Sequence, residues 1–397
     1  MSDRKKSSLE LADVVRQFGE PYIEKYQDVI LPSQRKALRD IAACQTKALG
    51  GQRFQCNDCG KDFWQYHGCR NRSCPKCHGS QIEQWLEKRE AEVLPCGYFH
   101  SVITVPEELR PVFLKHQKVM YGLLFRVAAD MIRELCLDPR HLGAEPALLG
   151  VLHTWTGQMS YHPHVHFLVS AGGVTSDGKS WRDAKPTFLV PVKPLSKKIA
   201  IEFRRRLEEK HPDLFRQCPR GVWHKSWCSF IKPYGENKEA VVKYLSRYVF
   251  RIAITNARLI SIDETHVTFC HKDRKTGEFH ACRLDGVEFL RRFLLHVLPR
   301  GFHKVRYYGL WHYSRRGLAS KAWLLLILRT PPLSGRKITI AQLVESISRL
   351  TDEALNKATG NDVSECSEEL CLDSPRCPHC HSRSTVPIGN VARHGRR

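Results

Sequence analysis

The sequence predicts an α+β chain in which strands and helices follow a cysteine-rich N-terminal module. Residues 161–170 read YHPHVHFLVS. Val165, Phe167 and Val169 share one parity and His164, His166 and Ser170 the other, the pattern of a half-buried strand. Residues 112–135 carry apolar side chains at positions 113, 119, 120, 123, 124, 127, 128, 131, 132 and 135. That three-and-four spacing marks an amphipathic helix. Two CxxC pairs, Cys56/Cys59 and Cys74/Cys77, are separated by fourteen residues. Each pair suits a tight knuckle, and together they offer the four thiolates of a zinc-ribbon-like module.

A chain of 397 residues has room for two or three domains. Lys and Arg number 63 against 41 Asp and Glu, leaving a formal charge of +22. Such an excess attracts polyanions, nucleic acid foremost. A merely basic soluble protein would also carry it, but here the basic residues recur in clusters. Membrane partners are not expected, because no long basic amphipathic helix or lipidation signal is present. The opening MSDRKKSSLE has no apolar signal segment. The longest apolar run, 322–328, is too short to span a bilayer. These features predict a cytoplasmic, nucleoid-associated protein in which paired cysteines bind zinc rather than form disulfides.

Taken in order, residues 1–50 read as polar helix. Around the CxxC pairs, Arg70, Arg72, Lys76, Trp64, Tyr66 and Trp85 interleave basic and aromatic side chains. That mixture grips phosphates and stacks bases, or the aromatics supply the small core of a zinc module. Cys44, Cys69, His67 and His78 are either a second ligand set or, the preferred reading, buried thiols and surface imidazoles.

Residues 100–105 read as a strand, 112–135 as the long helix, 148–159 and 161–170 as two further strands, the latter ended by Ala171-Gly172-Gly173. Lys193 to Lys210 reads as a basic helix. It is either a solvated face or part of a groove that follows a nucleic-acid backbone. Residues 240–259 follow as AVVKYLSRYVFRIAITNARL, where Tyr244 and Tyr248 fall one helical turn apart. Tyrosines so spaced usually pack in a core. Here Lys243, Arg247 and Arg251 surround them, and cations favour phenolate and hold phosphate.

Residues 267–284 read as a hairpin turning at Lys275-Thr276-Gly277, 285–302 as a helix with its stop signals, and 303–308 as a strand. Pro331-Pro332 and Ser334-Gly335 mark a linker, 338–355 another helix, and the rest a polar tail with a basic, disordered end. That tail holds Cys366, Cys371 and a third CxxC, Cys377/Cys380, a candidate second zinc site.

In the HxH pair, both imidazoles leave one side of a strand and suit a divalent metal. The alternative is a structural strand with two surface histidines. Gln158, on the adjoining strand, is the candidate third ligand; His162 and His153 are weaker ones.

Five stretches in this order resemble the IS91 group of rolling-circle insertion-sequence transposases, within the two-tyrosine HUH endonuclease class. They are CxxCG with CRNRSCPKC at 56–77, FHSVITVPEELR at 99–110, LHTWTGQMSYHPHVHFLVSAGG at 152–173, YLSRYVFRIAITNARL at 244–259 and FLRRFLLHVLPRGFHKVRYYG at 289–309. The resemblance implies an HUH-type antiparallel sheet flanked by helices, and nicking and joining of single-stranded DNA at element ends and target. It maps the metal pair onto His164 and His166 and the nucleophiles onto Tyr244 and Tyr248. Structural zinc and catalytic Mg²⁺ or Mn²⁺ are the implied cofactors. The expected domains are 1–95 (helix plus zinc module), 96–330 (nuclease) and 331–397 (helix and tail). A replication initiator or relaxase with the same chemistry is one competing reading, and a non-catalytic zinc DNA-binding protein another.

Overall fold

The structure, a computed structural model, describes residues 9–77, 93–225, 227–235, 241, 244, 248–249, 251–273, 276–329 and 375–392. Among them the strands are β1 (Gly51–Cys56), β2 (Asp62–Tyr66), β3 (Tyr98–Thr104), β4 (Glu145–Trp155), β5 (Tyr161–Val174), β6 (Trp181–Asp183), β7 (Cys228–Gly235), β8 (Leu259–Ile262), β9 (His266–Lys272), β10 (Phe279–Asp285), β11 (Val305–Gly309) and β12 (Thr385–Val391). The longer helices are α1 (Leu11–Lys25), α2 (Pro32–Ala42), α3 (Gln117–Leu137), α4 (Val192–Lys210), α5 (Gly286–Leu294) and α6 (Arg316–Arg329). The described residues within 82–253 and 295–347 form one compact unit, and those within 1–81, 254–294 and 348–397 another.

The first unit is built on an antiparallel sheet in the order β11-β4-β5-β3-β7, with β6 paired to the far end of β5. The alternation of β5 sets its orientation. Val165, Phe167 and Val169 join Phe99, Ile103, Leu148 and Leu152 on one face, packed with Tyr121, Leu124 and Phe125 of α3 and Phe203 of α4. Full burial of each such side chain stabilises by about 1.5–3 kcal/mol. Leu168, Tyr98, Leu149 and Val151 line the opposite face with Val241, Tyr244 and Val249. The antiparallel sheet flanked by helices therefore forms.

Several boundaries differ from those read in the sequence. β5 runs on through Gly172 and Gly173, where a Cβ would lie 2.6 Å from the Trp181 ring and 2.4 Å from the Glu145 carbonyl oxygen, respectively. These glycines admit close neighbours rather than ending the strand. β4 stops at Trp155, and a turn closed by the Thr156 and Met159 amides follows, with Met159 at φ +58°. The helix expected over 112–135 is divided at His116 (φ −122°, ψ 43°), so that α3 begins at Gln117. On α4, Arg205 and Arg206 pair with Glu202, and Lys198 with Glu134, which offsets much of its charge.

In the second unit, Gln34 of α2 donates to the Leu294 carbonyl at the end of α5 (3.0 Å), and the Leu11 amide donates to Asn256 Oδ1 (3.0 Å). The expected hairpin forms as β9 and β10, paired from Lys272↔Phe279 to Asp285↔His266. A separate three-stranded sheet has the order β12-β1-β2. Tyr244 and Tyr248 are helical, Arg251 is not, and Leu259 opens β8. The linker at 331–335, the helix at 338–355, Cys366, Cys371, His78 and Trp85 lie outside the described residues. No helix among the described residues is long and apolar enough to cross a membrane.

Candidate active site and cysteine clusters

Three neighbouring strands place histidines on one face of the large sheet. In register, His153 of β4 stands opposite His164 of β5, while Val151 of β4 and Val102 of β3 flank His166. His100 of β3 is opposite Leu168, one same-face step from His166. All four imidazoles are buried. One ring nitrogen from each of His153, His164 and His166 lies within 4.8 Å of the others.

The outer nitrogens are held. His164 Nδ1 donates to its neighbour His162's carbonyl (2.6 Å), and His153 Nε2 donates to the Tyr248 carbonyl (2.7 Å). Carbonyls only accept, so these bonds fix the tautomers and leave lone pairs on His164 Nε2 and His153 Nδ1. His166 Nδ1 faces His100 Nε2 at 2.8 Å. With the proton on His166 Nδ1, the lone pair of that ring is on Nε2. Burial, followed by the neighbouring His166, pushes His153 well below the usual imidazole range. Burial and Lys232 bring His100 to about 4. Imidazoles whose outer ring nitrogens are anchored are the donor set that a metal ion requires. Three nitrogens without a carboxylate fit Mn²⁺ better than Mg²⁺, which prefers oxygen.

Tyr248 stands beside this group. Its ring centroid is 4.5 Å from His166, 5.0 Å from His100 and 6.0 Å from His153. The helical turn that carries it ends against Lys304, whose Nζ donates to the carbonyls of Val249 (3.1 Å) and Arg251 (2.6 Å). Tyr244 lies 4.6 Å from Tyr248 between ring centroids but is fully buried. Among the described residues its hydroxyl has no hydrogen-bond partner. Burial first, then Tyr248 and Tyr234, raise its pKa well above 10.0.

Gln158 is exposed in the turn after β4. The strand ends three residues before it, so His153, not Gln158, is the β4 side chain level with the pair. Arg70 and Arg72 are exposed on the loop between Cys69 and Cys74, and Arg251 is exposed beyond the tyrosines. Lys243 and Arg247 lie outside the described residues. Trp64 is half exposed beneath the Arg53 guanidinium (5.4 Å), whereas Phe54 and Phe63 form the module's small core.

The cysteines regroup. The spacing predicts that Cys56, Cys59, Cys74 and Cys77 share one ion, yet each pair meets other partners. Cys74 and Cys77 join Cys44 and Cys69; Cys56 and Cys59 join Cys377 and Cys380. In the first quartet Cys44 Sγ lies 3.5 Å from both Cys74 and Cys77, and Cys69 Sγ lies 3.7 Å from Cys77. The end of α2 delivers Cys44 to the Cys74–Cys77 knuckle, which spacing between CxxC pairs cannot reveal. Cys44 and Cys69 therefore stand with Cys74 and Cys77 in a group that could hold a metal ion. His100 is the other residue that sequence reasoning passed over. Its only signal was its position in the strand HSVITV, whose alignment to β5 was not readable.

Comparison with known proteins adds to this geometry. A family model described as "Putative transposase" matches residues 148–318, and one described as "Transposase zinc-binding domain" matches residues 14–105. The chain is 38% identical over 321 residues to "Putative transposase y4qJ" of Sinorhizobium fredii, covering 77% of this chain and 80% of that one. It is 26% identical over 286 residues to "Transposase for insertion sequence element IS801" of Pseudomonas savastanoi pv. phaseolicola, covering 68% of each. No solved structure matches.

Proposed function

The chain belongs to the IS91-type transposase family, and on that premise we propose that it nicks and rejoins single-stranded DNA through a tyrosyl phosphate, moving an insertion sequence by the rolling-circle route. The observation that carries the reading is the Tyr248 ring 4.5 Å from His166, beside a group of buried imidazoles. A divalent ion, Mn²⁺ or Mg²⁺, held by His153, His164 and His166 would withdraw charge from a non-bridging phosphate oxygen. Tyr248 is the nucleophile. Its oxygen forms the new bond to phosphorus as the bond to the 3′ oxygen breaks, and the phenol proton leaves as the 3′ oxygen gains one. The product is a 5′-phosphotyrosine and a free 3′-hydroxyl. Attack by a 3′-hydroxyl reverses the step, so joining needs no ATP.

His153 serves twice, through its ring nitrogen toward the ion and through its bond to the Tyr248 backbone. Tyr244, one turn back, packs behind Tyr248 and is the second nucleophile only if the helix shifts to expose it. Arg70, Arg72, Lys243, Arg247 and Arg251 would contact DNA phosphates. Zinc on Cys44, Cys69, Cys74 and Cys77 would hold the N-terminal module together.

The test is incubation with a labelled single-stranded oligonucleotide carrying an element end, in Mn²⁺. A labelled protein band that survives SDS is expected. A native-gel shift with no covalent band would instead mark a non-catalytic zinc DNA-binding protein.

A further inference from the structure

Cys377 and Cys380 lie outside both family matches, which end at residues 105 and 318. The structure nonetheless sets them against Cys56 and Cys59, with Sγ distances of 3.5 Å for Cys56–Cys380 and 3.6 Å for Cys59–Cys377. These are well beyond a disulfide bond of about 2.05 Å. They are close to the roughly 3.8 Å edge of a tetrahedron with metal–sulfur bonds of about 2.3 Å.

The two CxxC turns share one backbone design. The Cys56 amide donates to the Lys61 carbonyl (3.0 Å) and the Gly60 amide to the Cys56 carbonyl (2.9 Å). In the distant turn, the Cys377 amide donates to the Ser382 carbonyl (2.8 Å) and the His381 amide to the Cys377 carbonyl (2.9 Å). The residue after each pair is left-handed, Gly60 at φ +68° and His381 at φ +61°. Glycine adopts that region freely; histidine does so at a cost, which the second knuckle bears. The His379 amide also points at Cys377 Sγ (3.4 Å). Two matched knuckles facing each other are the two halves of one tetrathiolate site.

β12 pairs with β1 from Gly51↔Val391 to Cys56↔Thr385, but among the described residues the hydrophobic cluster there is Phe54, Cys56, Phe63 and Cys377. So small a core needs a metal to hold it.

We propose that Cys56, Cys59, Cys377 and Cys380 bind a second zinc ion that clasps the C-terminal strand to the N-terminal module. The two knuckles stand more than 300 residues apart in sequence, Cys59 and Cys377 by 318. The site does not depend on the proposed DNA chemistry.

The full-length protein, purified in zinc without chelator, should carry about two zinc ions per chain, one for each quartet. Cys377→Ser/Cys380→Ser should lose one of the two and keep the other. Cys44→Ser/Cys69→Ser should also leave one. Cys380 is exposed, so Cys380→Ser alone guards against a folding failure. In its cobalt-loaded form the visible spectrum should show one tetrathiolate centre fewer than wild type. Wild type with one zinc, an unchanged zinc count in the Cys377/Cys380 variant, or a disulfide among these four cysteines in the freshly purified protein would overturn the assignment.

Discussion

His153 Nε2 donates to the Tyr248 carbonyl at 2.7 Å. One imidazole thereby belongs to the histidine group of the sheet and also fixes the backbone of the residue proposed as nucleophile. Loss of this ring should damage two things together. His153→Ala is expected to weaken Mn²⁺ binding by about 10–100-fold or more and to leave little covalent adduct even at saturating Mn²⁺. Titration calorimetry and the SDS-resistant band measure the two effects. Wild-type adduct yield at saturating metal would show that the bond to Tyr248 has no part in the reaction.

His100 offers the contrast. It touches His166 through a 2.8 Å hydrogen bond and orients that ring, whereas the bond to the Tyr248 carbonyl comes from His153. His100→Leu should lower Mn²⁺ affinity by about 10–100-fold, yet adduct formation should recover as Mn²⁺ is raised. A loss that excess metal does not rescue would give His100 a different role.

Tyr244 carries a buried hydroxyl with no partner among the described residues. A phenylalanine there removes an unsatisfied polar atom, whose burial costs about 1–3 kcal/mol. Tyr244→Phe should therefore match or exceed wild type in thermal stability and should retain the covalent adduct. A marked fall in melting temperature would show that the hydroxyl is bonded in solution.

His296 makes acid stability testable. Its Nε2 donates to the Met159 carbonyl (3.0 Å) and its Nδ1 faces Thr154 Oγ1 (3.1 Å). Burial lowers its pKa from 6.5 to about 4, against a smaller opposing effect of the Met159 carbonyl. The folded state holds the neutral ring, so stability is unaffected above pH 6.5 and falls as the unfolded chain gains a proton that the folded one refuses. A shift of this size corresponds to about 3 kcal/mol lost between pH 6.5 and 4. His296→Gln should flatten that part of the curve in denaturant titrations. An unchanged slope would show that other groups drive acid unfolding.

Chelation separates binding from chemistry. Excess EDTA, added after zinc loading and for a short time, should stop cleavage while a native-gel shift with single-stranded DNA persists, because phosphate contacts rest on basic side chains. Cleavage that continues in EDTA would remove the ion from the reaction.

The parts of this site legible in the sequence were those whose signal is local. The alternation of YHPHVHFLVS placed Val165, Phe167 and Val169 on one face and the histidines on the other, as found, but the strand expected to be half-buried is buried on both faces. The hairpin over 267–284 was equally plain. His153 was harder to place because its stretch, LLGVLHTW, runs nearly continuously apolar, without the alternation that fixes parity in β5. β7, CSFIKPYG, is an edge strand containing Pro233 and gives almost no signal. The cysteine spacing announced knuckles but not their partners, since tertiary folding decides which two knuckles meet. The strand β12 was hidden in a tail that reads as polar.

The most direct test is mass spectrometry of the trapped protein–DNA adduct after proteolysis. A nucleotide fragment linked through its 5′ phosphate to Tyr248 is expected. Linkage to a serine, a histidine or a tyrosine remote from His166, or no linked peptide from an active preparation, would contradict the proposed chemistry.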